Sequence, residues 1–175
     1  AEAFLEECMG SVFAQTWQDF EVVLVEDGSP DGSGLLCDRF AAQDARVHAL
    51  HQENTGPYGA RRTAIRYCLG QGRPTDWAVF LDADDSLKSN ALETIAKAHR
   101  ETGADLIFMG EDQVYEGQVL RPFPREMAFI GTVTDKAQLY KIVFQDGWYN
   151  PLWKKAAPLG LLPREDHKEF YPVRF

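Results

Sequence analysis

With 175 residues the chain has the length of one domain and can bury a sizeable apolar core. Its 45% hydrophobic and 26% charged residues are globular values, which sets aside disordered and fibrous classes. A net charge of −9 argues against a nucleic-acid partner, since phosphate-backbone interfaces are strongly basic.

Cys8, Cys37 and Cys68 lie far apart, each in an apolar helical pattern, the usage of buried free thiols in a reducing compartment. No apolar run approaches a membrane span and the first residues lack a leader pattern. The expected location is therefore the cytoplasm, peripheral to the inner face of a membrane if parts outside this chain reach one.

Phe4-Leu5, Cys8-Met9 and Val12-Phe13 recur every four residues, so the chain opens on a helix. After a polar connection, residues 21–25 are a β-branched run of the fully buried kind, ending in Glu26-Asp27-Gly28-Ser29. Open α/β sheets bind ligands outside the carboxyl ends of their strands, and Asp27 stands at such an end. A plain turn with Asp27 as its cap is the other reading.

Residues 35–40 read as a helix and 47–50 as a strand. Asn54 to Gly59 breaks the pattern, and residues 60–69 are helical with Arg61 and Arg62 in the first turns. Cations there oppose the helix dipole, which a bound anion would offset; two solvated arginines are the alternative.

Residues 70–76 form a loop into the central strand, Trp77-Ala78-Val79-Phe80-Leu81, which runs into Asp82, Asp84 and Asp85. Carboxylates this close repel one another and need water, a cation or a positively charged ligand between them. Mg2+ or Mn2+ takes oxygen ligands and keeps positions open for substrate phosphates. Otherwise the segment is a solvated acidic turn, with Ser86 or Ser89 capping the helix over residues 90–101.

Residues 104–109 form another strand, 114–115 and 119–120 a hairpin around Glu116-Gly117, and 135–144 a helix; the tail has no period. Strand and helix alternate up to residue 109, which predicts an α/β fold with a mostly parallel sheet and helices on both faces. His48 and His51, three apart, point to opposite faces, and all four histidines read as non-ligands.

Four segments occur in order: Gly10-Ser11-Val12, AQTWQDFEVVLVEDGSPDGS at 14–33, ENTGPYGARRTAI at 53–65 and AVFLDADDS at 78–86. Through them residues 3–109 resemble the nucleotide-sugar half of the family 2 glycosyltransferases, inverting enzymes of the GT-A (Rossmann-like) fold. The resemblance implies transfer from a nucleotide-diphosphate sugar, a UDP-sugar, to a glycan or glycolipid acceptor in cell-surface polysaccharide biosynthesis. It implies that Asp27 hydrogen-bonds the uracil edge and that Arg61 lies close to the donor phosphates. Asp85 becomes the direct Mn2+ or Mg2+ ligand, with Asp84 nearer the ribose and Asp82 the accompanying upstream acid. An inverting transfer needs a base, and Asp166 in Glu165-Asp166, after Trp153-Lys154, is the candidate. Residues 1–110 would be the donor half and 111–175 the acceptor-side half of a single domain.

Two departures stand out. Family members begin with a strand ending in a proline-x-tyrosine-asparagine segment, whereas this chain opens on the helix after it. The expectation is an exposed sheet edge that pairs with another copy as a homo-oligomer or leaves the fold marginally stable, with donor binding and activity impaired. Glu26 replaces a commoner aspartate.

VFLDADDSL also resembles the first motif of haloacid dehalogenase phosphohydrolases, in which Asp82 would be the nucleophile and Asp84 the acid/base. That motif's lysine and later acidic pair do not appear. A calcium loop through Asp82, Asp84, Ser86 and Glu93 lacks its glycine, which Leu87 replaces. A non-catalytic nucleotide-sugar-binding domain is the third alternative.

Overall fold

The structure, a computed structural model, describes residues 1–73, 76–115, 117–121 and 155–159. Helix α1 (Glu2–Phe13) buries Leu5, Cys8, Met9 and Val12 of the predicted stripe, while Phe13 is partly buried and Phe4 is exposed. Strand β1 (Val22–Asp27), helix α2 (Ser33–Gln43), strand β2 (Val47–Gln52) and helix α3 (Gly56–Gly70) follow. Then come β3 (Trp77–Val79), α4 (Ala91–Thr102), β4 (Ile107–Phe108), the hairpin β5 (Gln113–Tyr115) and β6 (Gln118–Arg121), and β7 (Lys155–Pro158).

Leu5 and Met9 of α1 pack with Cys37 and Phe40 of α2 and Val47 of β2, with Val22, Leu24 and Ala49 against them. Burying side chains of this size stabilises a fold by about 1.5–3 kcal/mol each. The next residue along β2 points the other way. His48 stacks on Tyr67 of α3 at 5.4 Å, so α3 covers the opposite face and the predicted helix layers on both faces are present.

β1 and β2 are parallel, Val22 opposite Val47 and Asp27 opposite Gln52. β3 and β4 are both antiparallel to β7, which lies between them. The predicted parallel order therefore holds for β1 with β2, while the second sheet is built through a strand from the aperiodic tail. Ala156 and Ala157 are nearly inaccessible there, small side chains that let β7 fit between its neighbours.

Between β1 and β3 runs a cleft of about 370 Å³, lined by Val23 to Val25 on one side and Trp77 to Ala83 on the other. This corrects the reading of β1 as fully buried: all six residues are only partly buried because one strand edge faces the cleft. It also bears on the thiols. Cys8, Cys37 and Cys68 all line the cleft, free and wholly or partly buried, and burial pushes the Cys8 and Cys37 thiols up to about 11.

Several predicted bounds shift. The central strand ends at Val79 rather than running unbroken into Asp82, and β4 holds two residues rather than six. α3 begins at Gly56, since Pro57 suits a first helical turn and does not break it, so Arg61 and Arg62 fall in the second turn. α4 has Asn90 at its N-cap with no side-chain bond, so neither Ser86 nor Ser89 caps it. Its C-cap is Gly103 at φ 66°, a left-handed position that favours glycine. The helix predicted over 135–144 lies outside the described residues. Among those described, no helix is long and apolar enough to cross a membrane.

Candidate functional site

Asp27 ends β1 and its carboxylate is held from the neighbouring strand and loop. Oδ1 accepts from the Thr55 backbone N–H at 2.9 Å, the Thr55 hydroxyl at 3.1 Å and Gln52 Nε2 at 2.6 Å. These donors favour the ionised form, and they hold the carboxyl below its ordinary value, the Thr55 N–H contributing most. Gly28 keeps the two loops together. At φ 67° it tolerates what a side chain would not, and a Cβ there would sit 2.9 Å from the Asn54 backbone nitrogen.

The second acidic group leaves β3 through Phe80 and Leu81. The Asp85 N–H donates to the Asp82 carbonyl at 3.0 Å, which closes a turn over Ala83 and Asp84. Arg61 reaches across from α3 and its guanidinium pairs with Asp82 Oδ1 at 2.5 Å. Asp85 has acidic neighbours: partial desolvation, then Asp84, Asp82 and Glu111, push its carboxyl up from the ordinary value. Like charges around an exposed carboxylate raise its affinity for a cation for the same reason that they raise its affinity for a proton.

What holds the segment after this turn in place comes from the end of α1 and the connection that follows it, and the sequence reading missed it. Gln15, 2% exposed, donates through Nε2 to the Lys88 carbonyl at 2.8 Å and accepts at Oε1 from the Leu92 N–H at 3.0 Å. It therefore serves the first turn of α4, where a serine cap was expected. Ser11 accepts from the Leu87 N–H at 3.0 Å, and the Thr16 N–H donates to the Ser89 carbonyl at 2.7 Å. Glu111 was missed as well, although an acidic pair just past a predicted strand was a usable signal. Asp112, the other member, pairs with Lys88 at 2.6 Å.

The structure thus gathers Arg61, Asp82, Asp84 and Asp85 at one strand exit and sets Asp27 at another. Arg61, expected close to phosphates, is engaged by Asp82. Glu93, on α4, accepts from the Thr16 hydroxyl at 2.8 Å. Asp166 lies outside the described residues. Among those described, no three His, Cys, Asp or Glu side chains stand together as a metal cage. The oxygen donors of Asp84 and Asp85 instead suit a hard cation held by few protein ligands, with its other positions left to a substrate.

Carboxylates stand at the exits of β1 and β3, strands of two sheets that line one cleft, and strand exits are where open α/β folds bind ligands. The chain belongs to glycosyl transferase family 2, whose model matches residues 1–158.

Glycosyltransferase GlyG of Streptococcus pneumoniae is 39% identical over 105 residues, which cover 59% of this chain and 33% of that protein. The putative glycosyltransferase EpsH of Bacillus subtilis is 29% identical over 174 residues, 99% of this chain and 48% of that one. The fold is similar to the crystal structure of S. aureus TarS 1–349, with a TM-score of 0.66 and 21% identity over 92% of this chain and 44% of that chain. Its complex with UDP matches at a TM-score of 0.63 and 20% identity, with the same coverage. The GT-A fold expected from the sequence is shown. The chain spans between a third and a half of the length of these relatives.

Proposed function

We propose that the protein carrying this chain transfers a sugar, with inversion, from a UDP-sugar to a glycan or glycolipid acceptor in cell-surface polysaccharide biosynthesis. The observation that carries the reading is the pair of strand exits: an ionised, oriented Asp27 at one and an acidic turn with a buttressed arginine at the other. The former suits an N–H on a nucleobase edge; the latter suits a diphosphate that arrives with Mn2+ or Mg2+. TarS, which shares the fold, has been crystallised with UDP.

In this reading Asp27 accepts from the base, Asp84 lies toward the ribose and Asp85 holds the cation, which supplies positive charge to the departing diphosphate. Arg61 adds a fixed guanidinium beside the phosphates, and its pairing with Asp82 keeps the side chain extended toward that end of the sheet. A nucleoside diphosphate leaves more readily when developing charge meets preorganised positive groups. Asp166 is the proposed base for the acceptor hydroxyl. Residues 1–110 serve as the donor half and 111–175 as the acceptor side.

Calorimetric titration of UDP into the complete protein, with and without Mn2+, tests the reading. Binding that needs Mn2+ and is lost in Asp85→Ala supports it. Metal-independent binding, or none, sinks it.

A further inference from the structure

Three hydrogen bonds converge on one Asp27 oxygen, and the Gly56 backbone N–H adds a smaller pull toward the ionised form. Asp27 Oδ1 carries all three donors described above, whereas Oδ2 carries none of them. Gln52, opposite Asp27 in the β1–β2 register, supplies the shortest of the three.

The Gln52 carboxamide is itself fixed at both ends. Oε1 accepts from the Thr63 hydroxyl of α3 at 2.5 Å, and Nε2 donates also to Thr55 Oγ1 at 2.5 Å. Turned over, the amide would set its oxygen against a carboxylate, so the network permits one orientation. A chain of hydrogen bonds therefore runs from α3 through β2 to the tip of β1. Glycine at 59 is part of it. A Cβ there would lie 2.0 Å from Thr55 Oγ1, so α3 closes on Thr55 only because Gly59 has no side chain.

We propose that Gln52, set by Thr63, is a positioning residue that turns Asp27 so that Oδ2 presents a single ionised acceptor to the imide N–H of a uracil-type base. The inference rests on the reading of Asp27 as the residue that faces the base. All three donors to Oδ1 are neutral, so they orient the carboxylate without cancelling the charge that makes it a strong acceptor. A base with a lone pair where uracil has N–H, as in cytosine, meets repulsion at the same oxygen. Orientation thus becomes selectivity.

The test measures UDP and CDP affinity by calorimetry in the complete protein and in Asp27→Ala, Gln52→Ala, Gln52→Glu and Thr63→Val, with thermal unfolding of each. Gln52→Glu matches the native side chain in size and can still accept from Thr63, but sets a carboxylate against Asp27. Its UDP affinity is expected to fall about tenfold or more, as for Asp27→Ala, with about fivefold for Gln52→Ala and about twofold for Thr63→Val. The UDP-to-CDP ratio falls in each, which a merely structural role would not produce. Gln52→Glu with wild-type affinity and ratio overturns the proposal, as does a loss of affinity at constant ratio. If Gln52→Glu does not fold, Thr63→Val decides by the same ratio. If Asp27→Ala leaves UDP affinity unchanged, the base-facing reading of Asp27 fails, and the inference falls with it.

Discussion

The two strand exits solve the problem of a surface carboxylate in opposite ways. At β1 the chain supplies the partners: a backbone N–H, a hydroxyl and a carboxamide converge on Asp27 and stabilise its charge. At β3 the chain holds the backbone and, through Arg61, the charge of Asp82, but not that of Asp85. Ser11, Gln15 and Thr16 fix the peptide groups of residues 87–92, while Asp85 is left among Asp84, Asp82 and Glu111. In the proposed function the carboxylate satisfied by neutral donors presents a shape, and the one surrounded by its own kind receives a cation. In that reading the difference separates recognition at β1 from electrostatics at β3, strands of two sheets that line one cleft.

The largest effect should come from removing the group whose charge is unanswered. Asp85→Ala is expected to abolish the Mn2+ dependence of UDP binding and to lower sugar transfer by about 10²–10³-fold, the range seen when one preorganised charge-stabilising group is lost. Asp27→Ala should weaken UDP yet keep the Mn2+ dependence. Parallel titrations of the two variants check this. If Asp27→Ala erases the metal effect as fully as Asp85→Ala does, the two exits are one site and the comparison breaks.

Next in size is the scaffold beneath the acidic turn. Gln15→Ala removes the partner of the Leu92 N–H and leaves the Lys88 carbonyl with the Ala91 N–H alone, at a cost of about 1–3 kcal/mol. Chemical denaturation should show the loss. A variant as stable as the wild type would mean that the turn is held by its other contacts alone.

These two regions were not equally legible in the sequence. Asp27 and the Asp82, Asp84 and Asp85 cluster could be located because buried strands announce themselves by apolar runs and the acids stand where those runs stop. α1 was visible through a four-residue stripe, most of which the structure buries. Gln15 was not visible, since a polar residue in a connection reads as solvated until the backbone groups that it satisfies, 73 and 77 residues away, are in place. β7 was hidden for a related reason. Lys155–Pro158 has no alternation to betray a strand; its burial comes from β3 and β4 on either side, contacts that exist only once the sheet has assembled. Gly56 and Pro57 were read as a break because punctuating residues look alike at a turn and at a helix start.

A smaller effect sharpens the contrast. Without divalent cations, Asp85→Asn removes a charge from among like charges and should raise stability, by less than about 1 kcal/mol because the group is solvent-screened. Saturating Mn2+ with UDP should reverse the order, since the wild type alone then gains from bound ligand. Thermal unfolding in chelator and in Mn2+ with UDP reads both halves. A destabilised Asp85→Asn in chelator would contradict the repulsion seen around Asp85.

The smallest effect carries the sign that Asp85 lacks. Asp27's folded carboxyl sits below its unfolded value because donors from Thr55 and Gln52 favour the ionised form. A depressed carboxyl contributes stability that is fully present above the unfolded value and is lost as pH falls through the folded one. Asp27→Asn should therefore unfold more easily than the wild type at neutral pH, and the gap should close on acidification. Asp44 provides the control, its carboxyl held down to about 2 by Arg46 through the side chain and the backbone. Its own gap, in Asp44→Asn, should persist to lower pH than most, since the charge survives until about pH 2. Thermal unfolding of both variants across the acid range measures the two closures. A gap at Asp27 that widens as pH falls would mean that its donors stabilise the neutral acid, and the site could no longer be read as a fixed anionic acceptor.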